Sequence, residues 1–131
     1  MRDVVRTRSV PQIIVSNADY ERLTDLANAS LERQPDVAKE LLAEMDRARV
    51  VDAKAVPANV VRMGSTVTFK SDDGQQRTLK LVYPADESLD QHRISVMTPV
   101  GAALIGLAED QSISWTARDG RRHELTVLKV T

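Results

Sequence analysis

The apolar residues of this chain change their spacing once, near Pro57, and that change limits the folds open to it. Before it, Tyr20, Leu23, Leu26 and Ala27, then Val37, Ala38, Leu41, Leu42, Met45 and Ala48, recur three and four residues apart. Such spacing gathers apolar side chains into one stripe of a helix. After it, Val67 and Phe69 alternate with Thr66, Thr68 and Lys70, and Leu79, Leu81 and Tyr83 alternate again. Alternation places apolar side chains on one face of a strand. The chain reads as α+β, with its helices ahead of its sheet.

In the first half, Ile13-Ile14-Val15 is a short β-type run and Ser16 or Asn17 offers a helix N-cap, with Asp19 near the positive helix end. Pro35 breaks a continuous helix but suits the start of a second one. The pattern predicts a flexible tail over residues 1–12, a short antiparallel helical hairpin over 13–51, a linker over 52–59 and a sheet domain over 60–131. Each arm has roughly 15 residues and is about 22 Å long. Arms this short are marginal alone in water, so their bases must pack on the rest of the chain. Glu40, Glu44 and Arg47 fall on the opposite, solvated helix face. Glu32, Arg33 and Asp36 mark the hairpin tip, where the two carboxylates read as solvated turn charges or N-cap residues.

In the second half, Ser71-Asp72-Asp73-Gly74 is a turn, Pro84 ends the returning strand, and Arg93-Ile94-Ser95-Val96 is a third strand. Thr98 then caps a short helix that Pro99 opens and Gly106 ends. Gly101 inside that helix costs about 1 kcal/mol relative to alanine, which predicts a close backbone approach there. Ile113 and Trp115 form a strand, Asp119-Gly120 a hairpin turn, and residues 124–130 close a four- or five-stranded antiparallel sheet.

Composition removes several classes of function. With 18 Lys and Arg against 19 Asp and Glu, the formal net charge of −1 lacks the basic excess of a nucleic-acid binder. There is no cysteine, hence no disulfide, thiol nucleophile or thiolate zinc site. No apolar run reaches the roughly 20 residues of a membrane helix, and the N-terminal arginines precede no signal-type apolar stretch, so the cytoplasm is the default. His92 and His123 stand alone, without metal-ligand spacing to Asp86, Glu87 or Asp90. No nucleophile elbow or phosphate loop occurs, and no cofactor is called for. Arg118, Arg121 and Arg122 cluster at a hairpin tip, as a solvated turn or a contact for an acidic protein. Phe69, Tyr83 and Trp115 read as core residues.

Three segments resemble a known family. The run Ile94-Ser95-Val96-Met97-Thr98-Pro99-Val100-Gly101-Ala102-Ala103-Leu104-Ile105-Gly106 is similar to the hallmark of the C-terminal domain of the Gre transcript-cleavage factors. Val61-Arg62-Met63-Gly64-Ser65-Thr66-Val67 resembles that domain's first strand. Leu79-Lys80-Leu81-Val82-Tyr83-Pro84 resembles the branch called regulator of nucleoside diphosphate kinase, or Rnk. The resemblance implies an FKBP-like domain with one short helix behind an N-terminal coiled coil. It implies docking at the rim of the RNA polymerase secondary channel, with Met97, Thr98, Pro99 and Val100 at the contact corner.

In cleavage-competent Gre factors, acidic residues on longer arms help hold a metal ion at the polymerase active centre. Here Glu32 and Asp36 ride on short arms, and metal coordination tolerates errors of only about 0.2 Å. The implied protein is a monomeric, non-enzymatic polymerase-binding regulator with no metal or cofactor of its own. The alternatives are a true cleavage-stimulating elongation factor and an adaptor for another partner. An FKBP-like fold also raises prolyl isomerisation, but four scattered aromatics do not build the pocket it needs.

Overall fold

The computed structural model describes residues 11–131, so most of the expected tail over 1–12 lies outside the described residues. Strand β1 (Ile14–Ser16) runs directly into helix α1 (Asn17–Ala29), and helix α2 (Pro35–Arg47) runs into strand β2 (Arg49–Val51). Ser16 is the N-cap of α1: its backbone is extended and its hydroxyl accepts the Asp19 N–H at 3.1 Å. Beyond the last turn, the Ser30 hydroxyl donates to the Leu26 carbonyl at 2.8 Å. Pro35 opens α2 as expected, but its N-cap is Gln34, so Asp36 lies in the first turn and is not a cap.

The two helices pack on each other through Leu23 and Ala27 on one side and Val37, Ala38, Leu41 and Met45 on the other. Their bases are tied together by a parallel ladder between β1 and β2, which pairs Val15 with Val50. Strand β2 was not among the expected elements, although Val50 and Val51 are both β-branched. Backbone bonds fasten this base to the rest of the chain. Ile14 N–H donates to the Gly106 carbonyl at 3.2 Å, and Gly106 N–H to the Val61 carbonyl at 2.9 Å. Higher on α1, the Arg22 guanidinium lies 4.2 Å from the centre of the Tyr83 ring.

The sheet contains β3 (Thr66–Ser71), β4 (Gln76–Val82), β5 (Arg93–Ser95), β6 (Ser112–Thr116) and β7 (Arg122–Val130), in the order β5-β4-β3-β7-β6. It is mixed, which corrects the antiparallel expectation: β5 runs parallel to β4, pairing Leu81 with Ile94. After Pro84 the chain makes two short 3-10 turns and a left-handed step at His92 (φ 56°). This detour, too long for a hairpin, returns the chain to re-enter in the same direction. Strand β7 lies between β3 and β6, so β6 rather than β7 forms that edge.

Helix α3 (Pro99–Leu104) is the single short α-helix of the second half, packed between α2 and β6. One apolar cluster runs through both halves, from Ile13 and Leu23 through Phe69 and Leu81 to Val127. Phe69 is buried as expected, whereas Tyr83 and Trp115 are half-buried and pack against the cluster's margin.

Glu44 departs from the solvated reading. It is only 9% exposed, and Arg47 bonds it while also donating to the Pro11 carbonyl. Burial pushes its carboxyl above the usual glutamate value, outweighing the attraction of Arg47. A carboxyl with a raised folded-state pKa favours the folded state below the ordinary value of 4.5, and that contribution is lost as pH rises through the raised value. Urea unfolding should therefore show wild type gaining stability relative to Glu44→Gln as pH falls from neutral toward 4.5. A difference independent of pH would mean that Arg47 offsets the burial.

Gly101 behaves as its sequence position predicts. A Cβ there would stand 2.1 Å from the Ser95 carbonyl oxygen and 2.9 Å from Val96 Cα. Alanine would gain about 1 kcal/mol of helix propensity. The obstacle is backbone and cannot rotate away, so overpacking of about 3 kcal/mol should win. Gly101→Ala is expected to lower the unfolding midpoint in denaturant, and an unchanged or raised midpoint would contradict this packing.

Candidate functional site

The corner at residues 97–100 is built from the end of β5. Glu87 accepts the Ser95 N–H at 3.1 Å, and the Ser95 hydroxyl accepts the Met97 N–H at 2.9 Å. The Thr98 hydroxyl donates to the Ser95 carbonyl at 2.7 Å and accepts the Gly101 N–H at 3.0 Å. One threonine thus closes the corner and caps the helix, while Pro99 presets the first helical residue. These bonds tie the turn to the strand end and the helix start, which limits its motion before any partner arrives.

The structure divides the four corner residues. Met97 is 3% exposed, and its side chain belongs to the core, so it does not present a contact surface. The Ser95 hydroxyl holds the Met97 N–H inside the turn, and the side chain joins the buried neighbours Val96 and Leu104 in the same cluster. Thr98, Pro99 and Val100 are half-buried and line an open depression of about 790 Å³. Ile94, Trp115 and Ala117 also line it, with the charged Glu87, Asp90 and Arg118.

Two residues of this surface were missed by sequence reasoning. Leu89 lies in a segment that reads as polar and acidic, yet it is 74% exposed beside the depression. A lone leucine amid Asp86, Glu87 and Asp90 was the available signal. Trp115 was read as core, but it lines the depression, and its buried indole N–H has no acceptor among the described residues.

At the hairpin tip, Glu32, Arg33 and Asp36 are all exposed. Asp36 lines a second depression of about 540 Å³, between α2 and the turn joining β6 to β7, together with Val37, Lys39, Glu40 and Arg118. Glu32 and Arg33 line neither depression. Arg121 and Arg122 are exposed farther round the same turn, with Arg121 3.9 Å from Asp119. His92 is exposed on its left-handed step, and His123 is 3.4 Å from Asp72 with its ring 5.0 Å from that of Trp115. Among the described residues, no group of three or more His, Cys, Asp or Glu is placed to hold a metal ion. No helix among them is long and apolar enough to cross a membrane.

This surface belongs to a fold with known relatives. Residues 56–131 match the family model of the transcription elongation factor GreA/GreB C-terminal domain, and residues 11–51 match that of the Rnk N-terminus. The chain is 39% identical over 123 residues to the regulator of nucleoside diphosphate kinase of Escherichia coli (strain K12), covering 93% of this chain and 90% of that one. It is 34% identical over 118 residues to the transcription elongation factor GreA of Rhodospirillum rubrum, covering 86% of this chain and 71% of that factor. Among solved structures, a prokaryotic transcription elongation factor GreA/GreB from Nitrosomonas europaea superposes with a TM-score of 0.73 at 36% identity. That match covers 92% of this chain and 99% of the other. With both family models in sequence order and the E. coli relative matched along nearly its whole length, the chain belongs to the GreA/GreB family, in its regulator of nucleoside diphosphate kinase (Rnk) branch.

Proposed function

We propose that this protein binds bacterial RNA polymerase at the rim of the secondary channel and regulates it by occupying that site, without stimulating transcript cleavage. The observation that carries the reading is a preorganised Gre-type corner joined to helices of only 13 residues each. At 1.5 Å per residue such an arm extends about 20 Å. The tip carboxylates cannot complete a metal site deep in the channel unless they arrive there within a fraction of an ångström. Asp36 lines a depression together with residues of the β6–β7 turn of its own chain, which suits a wall better than a probe.

In this reading the protein is a monomeric, cytoplasmic, non-enzymatic factor without a cofactor. Thr98, Pro99 and Val100 make the contact, Met97 supports them from beneath, and the helical pair serves as a short coiled coil. The name of the E. coli relative connects this branch to nucleoside diphosphate kinase. Polymerase occupancy would act on that enzyme through transcription. A second reading, a cleavage-stimulating elongation factor, is favoured by the Nitrosomonas structure, which carries that family's name over nearly the same length of chain.

Halted, backtracked elongation complexes decide between the two. Added in excess, this protein should leave the transcript length unchanged over the time in which a Gre factor shortens it. Prompt shortening of the RNA would overturn the proposal.

A further inference from the structure

The two depressions beside the corner share three lining residues, Pro99, Ala117 and Arg118. They meet because α2 packs on α3 and α3 on β6, which sets the helical pair alongside the β6–β7 turn. Together they form one trough, with β5 and the Glu87–Asp90 loop at one end and α2 at the other. Its apolar surface comes from Ile94, Val100 and Trp115 at the first end and from Val37 and Ala43 at the second. Its charge is unbalanced: the carboxylates Glu87, Asp90, Asp36 and Glu40 face only two cations, Lys39 and Arg118.

We propose that this whole trough is the docking surface, that α2 is its second wall, and that its occupant is a protein segment with apolar anchors flanked by lysine or arginine. The excess of carboxylates repels phosphate and attracts basic side chains, which sets the sign of the partner. The apolar lining and the exposed Leu89 give that segment something to bury. The short arm then acts as part of the binding face. The identity of the partner as polymerase rests on the reading above, but the chemistry of the occupant does not.

Trp115 is the only tryptophan of the chain and lines the trough, so its emission reports occupancy directly. The probe is an amphipathic Leu/Lys peptide, with a Leu/Glu peptide of the same length as its counterpart. Leu/Lys should shift the emission saturably, and Leu/Glu should not. Asp36→Lys combined with Glu40→Lys should weaken Leu/Lys binding about tenfold, because two rim attractions become repulsions. Glu21→Lys with Asp25→Lys makes the same charge change at exposed positions of α1 outside the trough and should leave it within about twofold. Asp36→Asn with Glu40→Gln, which adds no repulsion, should fall between the two. Equal binding of both peptides, no saturable shift, or equal loss in the α1 and α2 variants would overturn the trough.

The same α2 and α1 variants are then measured for retention of core RNA polymerase. Polymerase binding by wild type that is lost in the α2 variant alone supports the trough in its natural setting. Retention unchanged in that variant contradicts it. Peptide binding as described with no wild-type retention of polymerase upholds the trough and overturns the polymerase reading alone.

Discussion

The contact on which the rest of this structure depends is the fit of the Ser95 carbonyl against the bare Cα of Gly101. It lets the chain leave β5, turn through Thr98 and start α3 within hydrogen-bonding distance of the strand it has just left. Because α3 sits so close, it can pack on β6 on one side and receive α2 on the other. A side chain at position 101 would push α3 outward and separate the helical pair from the sheet. The corner is thus a structural joint as well as an exposed surface, and its rigidity follows from the same bonds.

The attachment of the helical pair completes this arrangement. Helices of 13 residues have little stability alone in water. They persist here because their apolar stripes join the core of the sheet and because the β1–β2 ladder holds their bases together. Gly106 contributes at the same point: its positive φ of 82° and missing side chain let Ile13 approach, where a Cβ would meet the isoleucine at 2.7 Å. An arm fastened this way along its length has limited reach but a fixed position. That geometry suits a surface shared between arm and domain.

What could be read from the sequence followed from local chemistry. Ser16, Pro35, Thr98 and Pro99 act on neighbours within a turn, so the helix starts were legible, and Gly101 announced a close approach by its cost. What could not be read depends on distant partners. The direction of β5 is decided by a connection whose path through the left-handed step at His92 has no strong local signature. The resemblance assigned Met97 to the contact corner but carried no sign that its side chain is buried in the core. Glu44 falls on the polar face of an isolated helix, and only the packed fold buries it beside Arg47. The trough is the least legible feature, because its walls come from Asp36, Asp90 and Arg118, far apart in sequence and joined only by the packing of α2, α3 and β6.

If the proposed function holds, this protein occupies the site on polymerase that Gre factors use. Equilibrium competition measures it most directly: labelled protein is bound to core RNA polymerase and a Gre factor is titrated in. Binding should be saturable and completely displaced by the Gre factor, with an apparent Kd that rises linearly with competitor concentration. Binding that persists at saturating Gre factor, or no binding at all, would contradict it.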